Sequence, residues 1–192
     1  MKTLAMFGYL RDEVGKSSTK SLRNEGKVPC VLYGGKNENI NFSMYSADFK
    51  NLVYTPSAYK VQLEIDGKTH KAVLKDIQFH PVNDTILHVD FLAISEDRPV
   101  EMKIPVKFVG NSVGVRSGGK LIAKAQKLRV LALPSKLPDV IEIKIDDLDI
   151  GQSIKVAQIS SQEYTILDSP NNPIVTVKTT RASQSAATDS KK

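Results

Sequence analysis

Alternation of apolar and polar residues with a period of two is the feature that most constrains this chain. Over 60–66, Val61, Leu63 and Ile65 alternate with Gln62, Glu64 and Asp66, which sends one set of side chains to a core and the other to water. Asp66-Gly67 follows directly. Such a pair favours a two-residue hairpin turn, because both turn positions need positive φ, and the return strand is expected over 69–75. The same period runs through Val100, Met102, Ile104, Val106 and Phe108 and through Ile141, Ile143 and Ile145, and a final strand is expected over 174–179. Pro105 has no N–H to give a ladder, so its strand is expected at a sheet edge or beside a bulge. Helical signals are few. One short helix is expected over 18–25, capped by Ser17 or Ser18 and closed by Gly26 in the left-handed conformation. A second is expected over 46–53, with Ser46 as its cap and Asp48 in the first turn. The chain reads as mainly β with few short helices.

The polar stretch Ser95-Glu96-Asp97-Arg98-Pro99 separates two groups of strands and marks a boundary. It divides the chain into a domain over 1–94 and a C-terminal β domain over 95–181. Residues 182–192 carry no large apolar side chain and are expected to form a disordered tail. With 192 residues, 41% of them hydrophobic, there is enough apolar material for two small cores. A single Cys excludes a disulfide framework and any multi-cysteine zinc or iron–sulfur site, and suits a reducing compartment. No run of about 18 apolar residues is present to span a membrane, and the first ten residues lack a secretory apolar segment. A soluble, cytoplasmic protein, monomeric when free, is expected.

Charge is laid out in blocks. The net charge is +6, which is compatible with an anionic partner and equally with ordinary solubility. Residues 15–36 hold five cations against one acid, residues 101–136 hold eight against one, and residues 137–168 reverse this with two against seven. One face meeting an anion while another faces water would give such a pattern.

Catalytic motifs are missing. Gly15-Lys16-Ser17 lacks the earlier glycine, the leading strand and the long following helix of a phosphate-binding loop. His70, His80 and His88 are ten and eight residues apart, which fits no metal-ligand pattern. Cys30 sits in the apolar run Val28-Pro29-Cys30-Val31-Leu32 and reads as a small buried hydrophobe. No enzyme activity, cofactor or metal is expected.

The segment 11–36 has a different character. Arg11, Lys16, Lys20 and Arg23 are interleaved with Ser17, Ser18, Thr19 and Ser21. Long cations neutralise phosphate while hydroxyls and helix-terminal amides donate short hydrogen bonds to it. Tyr33 adds an aromatic plane able to stack on a base or bond a ribose. Lys75, Gln78, His80, His88 and Asp90 form a second polar group, and its Gln and Asp suit base edges or 2′-hydroxyls. A solvated loop rich in Ser and Lys would share the first composition. His88 and Asp90, two apart on a strand, also face the same way and can simply pair with each other.

Several of these residues recur in a fixed order. Arg11, Gly15-Lys16, Lys20, Leu22-Arg23, Val28-Pro29, Tyr33-Gly34-Gly35, Asp76-Ile77-Gln78, His80-Pro81 and His88-Val89-Asp90-Phe91 together resemble the bacterial CTC family. Its members are large-subunit ribosomal proteins that bind 5S ribosomal RNA, some known as general stress proteins. Gly114-Val115, Gly118-Gly119 and Leu121 resemble the glycine-rich segment of the longer, two-domain members. The resemblance implies an N-terminal six-stranded β-barrel, similar to the anticodon-binding barrel of glutaminyl-tRNA synthetase, and a second β domain. It implies binding to the loop E region of 5S RNA. Arg11, Lys16, Lys20 and Arg23 match positions that meet the RNA backbone, and Tyr33, Gln78, His88 and Asp90 match positions nearer the groove; Thr19, Ser21 and Lys75 beside them are further RNA-binding candidates by residue type. Ser21 and Phe79 stand where family members often carry a basic or polar residue, so fewer phosphate contacts are expected here. The basic stretch of the C-terminal domain is expected to reach further RNA, and the acidic one neighbouring subunit proteins. The contrasting reading is a stress-induced regulator that touches ribosomes only transiently.

Overall fold

The alternating segments close on themselves. In the computed structural model, which describes residues 1–34, 39–159 and 163–180, two units are distinguished. The first comprises Met1–Met102 with Ala132–Asp139, and the second Lys103–Leu131 with the described residues from Val140 onward. The expected tail over 182–192, together with Gly35 and Lys36, lies outside the described residues.

The first unit runs β1 (Lys2–Leu10), α1 (Lys16–Asn24), β2 (Lys27–Tyr33), β3 (Ile40–Tyr45), a 3-10 turn over Ser46–Phe49 leading into α2 (Lys50–Val53), β4 (Tyr59–Ile65), β5 (Lys68–Phe79) and β6 (Ile86–Ala93). The six strands form a closed barrel in the order β1-β3-β2-β6-β5-β4. Closure comes from parallel pairing of β1 with β4, from Lys2 opposite Tyr59 to Gly8 opposite Ile65. β2 and β6 are also parallel, whereas the remaining neighbours are antiparallel. The inward residues of the alternation meet in one core, including Met6, Cys30, Phe42, Leu63, Val89 and Phe91, with Phe49 and Leu52 beside them. Asp66 and Gly67 take φ of 49° and 71° at the β4–β5 turn, as the hairpin signal requires. The return strand is longer than expected, because β5 keeps a partner in β6 after β4 ends.

The second group of strands is β7 (Val100–Val109), β8 (Lys120–Ala123), β9 (Lys127–Ala132), β10 (Ile141–Lys144), β11 (Ser153–Lys155), β12 (Thr165–Ile166) and β13 (Pro173–Lys178), with the single-turn helix α3 (Val113–Arg116) after β7 and a 3-10 turn, Val156–Gln158, after β11. They make a sheet ordered β10-β7-β9-β12 and another ordered β11-β13-β8. Ile145, Leu148, Val175 and Val177 form a core there, with Phe108, Leu121, Ile150 and Ile154 packed on it. The glycine-rich segment is structural in this unit: a Cβ on Gly114 would lie 2.6 Å from the Ile150 nitrogen, so only Gly lets the two backbones approach.

Three local expectations are corrected. α1 begins at Lys16, with Gly15 at its cap and no side-chain cap bond from a serine. The Gly15 carbonyl accepts both the Thr19 N–H at 3.0 Å and the Thr19 hydroxyl at 2.6 Å, which starts the helix ahead of Ser17 and Ser18; Gly26 does take positive φ, at 76°. Ser46 makes no cap bond either; Tyr45 holds that position and the Ser46 N–H donates to the Gly26 carbonyl at 2.9 Å. Pro105 lies on an interior strand, not an edge. The Val106 N–H donates to the Gln126 carbonyl at 2.9 Å, so by alternation the Pro105 nitrogen faces β10, whose pairing begins only at Val106. No ladder bond is lost there.

Gly8 marks a point of close packing in the barrel, since a Cβ there would sit 2.6 Å from Cδ2 of the fully buried Phe42 ring. Overpacking of this kind costs about 1–3 kcal/mol. Gly8→Ala is therefore expected to lower unfolding free energy by that amount in a denaturant titration; an unchanged midpoint would show that Phe42 yields without cost.

Candidate nucleic-acid interface

The cations of α1 fall on one side of it. Lys16, Lys20 and Arg23 recur at helical spacing and are exposed, whereas Ser18, Thr19 and Leu22 are half-buried on the side turned to the barrel. Arg11, at the end of the β1 segment, sits beneath the loop that leads into this helix. Its Nη2 donates to the Thr19 hydroxyl at 3.4 Å and to the Glu13 carbonyl at 3.3 Å, while its Nε is buried and makes no hydrogen bond among the described residues. Arg11 and Thr19 thus brace the loop. Ser21 is exposed on the helix.

Arg23 ties the helix to the barrel. Its Nε and Nη2 both donate to the Leu87 carbonyl, at 3.1 and 2.9 Å. That carbonyl is available because β5 and β6 slip past each other there: Gln78 faces His88 but Phe79 faces Ile86, leaving Leu87 as the extra residue of a bulge. A second slip, from Leu74 opposite Phe91 to Asp76 opposite Asp90, makes Lys75 the extra residue on β5. Lys75 turns to Glu101, Nζ to Oε2 2.7 Å.

Between the two bulges lies a polar row on the outer surface of the barrel. Gln78 faces His88 and Asp76 faces Asp90 across the strands, while Ile77 and Val89 between them turn to the core. His88 Nδ1 stands 2.7 Å from Asp90 Oδ1, with the two side chains 30% and 28% exposed. On the other flank β2 runs parallel to β6, with Val31 beside Asp90 and Tyr33 beside Leu92. Burial pushes the Tyr33 phenol above its ordinary pKa, Asp90 and Asp76 reinforce the shift, and Lys75 opposes it.

The structure thus brings Tyr33, Lys75, Gln78, His88 and Asp90 to one outer face of β2, β6 and β5, and Arg23 links α1 to that face. His80 belongs instead to the turn after β5, where its Nδ1 accepts the Val82 N–H at 3.3 Å. Asp76 and Glu101 are additions to the reading. Asp76 was legible as the residue two before Gln78, on the same strand face; Glu101 lies too far along the chain for any local pattern to link it to Lys75. Cys30 is buried, and desolvation pushes its thiol strongly upward, with Arg11 opposing and Asp90 reinforcing. No group of His, Cys, Asp and Glu among the described residues is arranged to hold a metal ion, and no helix is long and apolar enough to cross a membrane.

Comparison with known proteins assigns both parts of the chain. Residues 8–91 match the model of the ribosomal L25p family, and residues 99–181 match the model described as the C-terminal domain of ribosomal protein TL5. The chain belongs to the ribosomal L25p family. Among its relatives, proteins named large ribosomal subunit protein bL25 resemble it along nearly their whole length. The one from Amoebophilus asiaticus is 47% identical over 98% of this chain and 96% of its own. Those from Phocaeicola vulgatus and Porphyromonas gingivalis are 44% and 42% identical, each over 97% of this chain and 98% of their own. The polar row, the Arg23 link and α1 all lie within the stretch matched to the L25p family.

The Arg23 fork has a direct test. Lysine at position 23 keeps the charge but not the planar pair of donors, and on an exposed site such bonds contribute about 1 kcal/mol. Arg23→Lys is expected to raise amide exchange rates in α1 severalfold while leaving the barrel strands protected. Unaltered exchange in α1 would show that the fork does not hold the helix.

Proposed function

We propose that this chain is a structural constituent of the large ribosomal subunit, cytoplasmic and ribosome-bound, that binds 5S ribosomal RNA at its loop E region. It performs no catalysis in this reading. The row Tyr33, Gln78, His88 and Asp90 meets the distorted groove, and Arg11, Lys16, Lys20, Arg23 and Lys75 supply positive charge toward the phosphates, with Thr19 and Ser21 as hydroxyl donors. The observation that carries this reading is the gathering of the row and the α1 cations on adjoining surfaces of a barrel belonging to the L25p family. Double-stranded RNA is recognised by shape, 2′-hydroxyls and phosphates, which suits a half-exposed row of amide, imidazole and carboxylate flanked by cations. We place the domain boundary between residues 94 and 95, a division that the separate family matches over 8–91 and 99–181 support, with the second domain directed to neighbouring subunit components. The relatives are named as subunit proteins, which favours this reading over a transient stress regulator.

Five cations on phosphates give a log–log salt slope of about −3.5 to −4.5. Lys16→Ala and Lys20→Ala are each expected to flatten that slope by about 0.7–0.9 in filter-binding titrations against 5S RNA at several salt concentrations. A slope unmoved by both changes would take α1 out of the interface.

His88→Ala and Asp90→Ala have a different signature. Each is expected to reduce affinity for a loop E fragment by about 1–3 kcal/mol while non-specific duplex RNA is spared, and to cost under about 1 kcal/mol of stability, as befits a half-exposed pair. Equal losses on both RNAs would reduce the pair to support for the fold.

A further inference from the structure

The second unit carries a charge arrangement that its fold does not require. Lys120 on β8 and Lys178 on β13 stand directly opposite each other in antiparallel register, so both side chains leave the same face of the sheet. Their neighbours Leu121 and Val177 turn the other way, into the core. Like charges facing each other across a strand pair destabilise a sheet. Neither lysine pairs with a carboxylate among the described residues. A lysine on an edge strand is a common guard against edge-to-edge association, which would account for Lys120, since β8 is the edge of its sheet. It does not account for Lys178, because β13 is the central strand.

A third cation joins them. Arg116, exposed at the end of α3, precedes the Gly118-Gly119 turn. The Gly118 carbonyl accepts the Thr180 hydroxyl at 2.6 Å, which fastens that turn beside the chain just past Lys178. The turn's own amides are engaged within it: the Gly118 N–H donates to Val115 at 3.1 Å and the Gly119 N–H to Gly114 at 2.8 Å. Asp149, whose backbone packs on Gly114, turns its carboxylate to the Ile150 N–H at 2.6 Å. What this corner offers a ligand is chiefly positive charge on long, exposed side chains.

We propose that Arg116, Lys120 and Lys178 form a second anchor, which binds the phosphodiester backbone of ribosomal RNA outside the 5S contact. The proposal rests on the reading that the chain is bound to ribosomal RNA. Contacts of this chemistry position a protein without reading sequence, and each releases counterions, so their contribution is strongly salt-dependent.

The test compares the full chain with its Arg116→Gln/Lys120→Gln/Lys178→Gln variant on two probes, a 5S RNA fragment carrying loop E and large-subunit particles prepared without this protein. Expected is unchanged affinity for the fragment within about twofold. On the particles, affinity should fall about tenfold or more at low salt and the slope should become shallower by about 2–3, the share of three phosphate contacts. An unchanged particle slope would overturn the proposal, and a loss of affinity at unchanged slope would assign the corner to a protein neighbour instead. Failure of the wild-type chain to bind the fragment would overturn the 5S reading, while the particle comparison would still report on this corner. Thermal melting of Lys120→Gln alone separates a role in the fold: removing one of two facing charges should leave Tm equal or higher, and a lower Tm would give the lysines to the fold and sink the proposal.

Discussion

The polar row on the outer surface of the barrel depends on two slips in the β5–β6 pairing. Before Lys75, Ala72 and Leu74 point inward; after it, Ile77 does. The bulge therefore shifts the alternation by one residue, and only because of that shift do Asp76 and Gln78 emerge on the outside. β6 undergoes the complementary change: Ile86 is inward, and beyond Leu87 the inward positions become Val89 and Phe91. Without the two slips, an uninterrupted ladder would send one strand's polar residues into the core, where unpaired amide and carboxylate groups are costly. The extra residues are put to use as well, Lys75 in an ion pair and Leu87 as the acceptor for Arg23.

The cations of the first unit divide into two kinds. Arg11 and Arg23 have internal partners and hold the β1–α1 loop and α1 itself, and Lys75 is paired with Glu101. Among the described residues Lys16 and Lys20 form no such bond, and both are exposed on the helix. Anchored charges fix the shape and field that a ligand meets, and free ones adapt to it. Ordering a long side chain in advance lowers the entropy lost when a partner arrives, so the anchored set lends the surface a definite form.

Strand alternation carried most of the architecture. Val61, Leu63 and Ile65 with Asp66-Gly67 define a hairpin in any context, and the inward residues recur in the core. The shared face of His88 and Asp90 was also legible, because residues two apart on a strand point the same way, whereas Gln78 joins them through the β5–β6 register. The bulges themselves left a trace, the switch from Leu74 to Ile77, that passes unnoticed unless the period is followed through the whole strand. Helix starts were less legible. The hydroxyls at Ser17 and Ser18 are good caps by type, but the Gly15 carbonyl and Thr19 closed the first turn ahead of them. Pro105 misled for a related reason. Whether a missing N–H matters depends on where the neighbouring strand begins, and that is a tertiary fact.

The barrel has no first or last strand. Each of its six members has a neighbour on both sides, so the barrel offers no full-length open edge to another chain. The second unit is built otherwise, from two open sheets whose outermost strands β8, β10, β11 and β12 are each short. The hazard of sticking to copies of itself is therefore concentrated in the second unit, with brevity of the border strands and the charge of Lys120 as the defence.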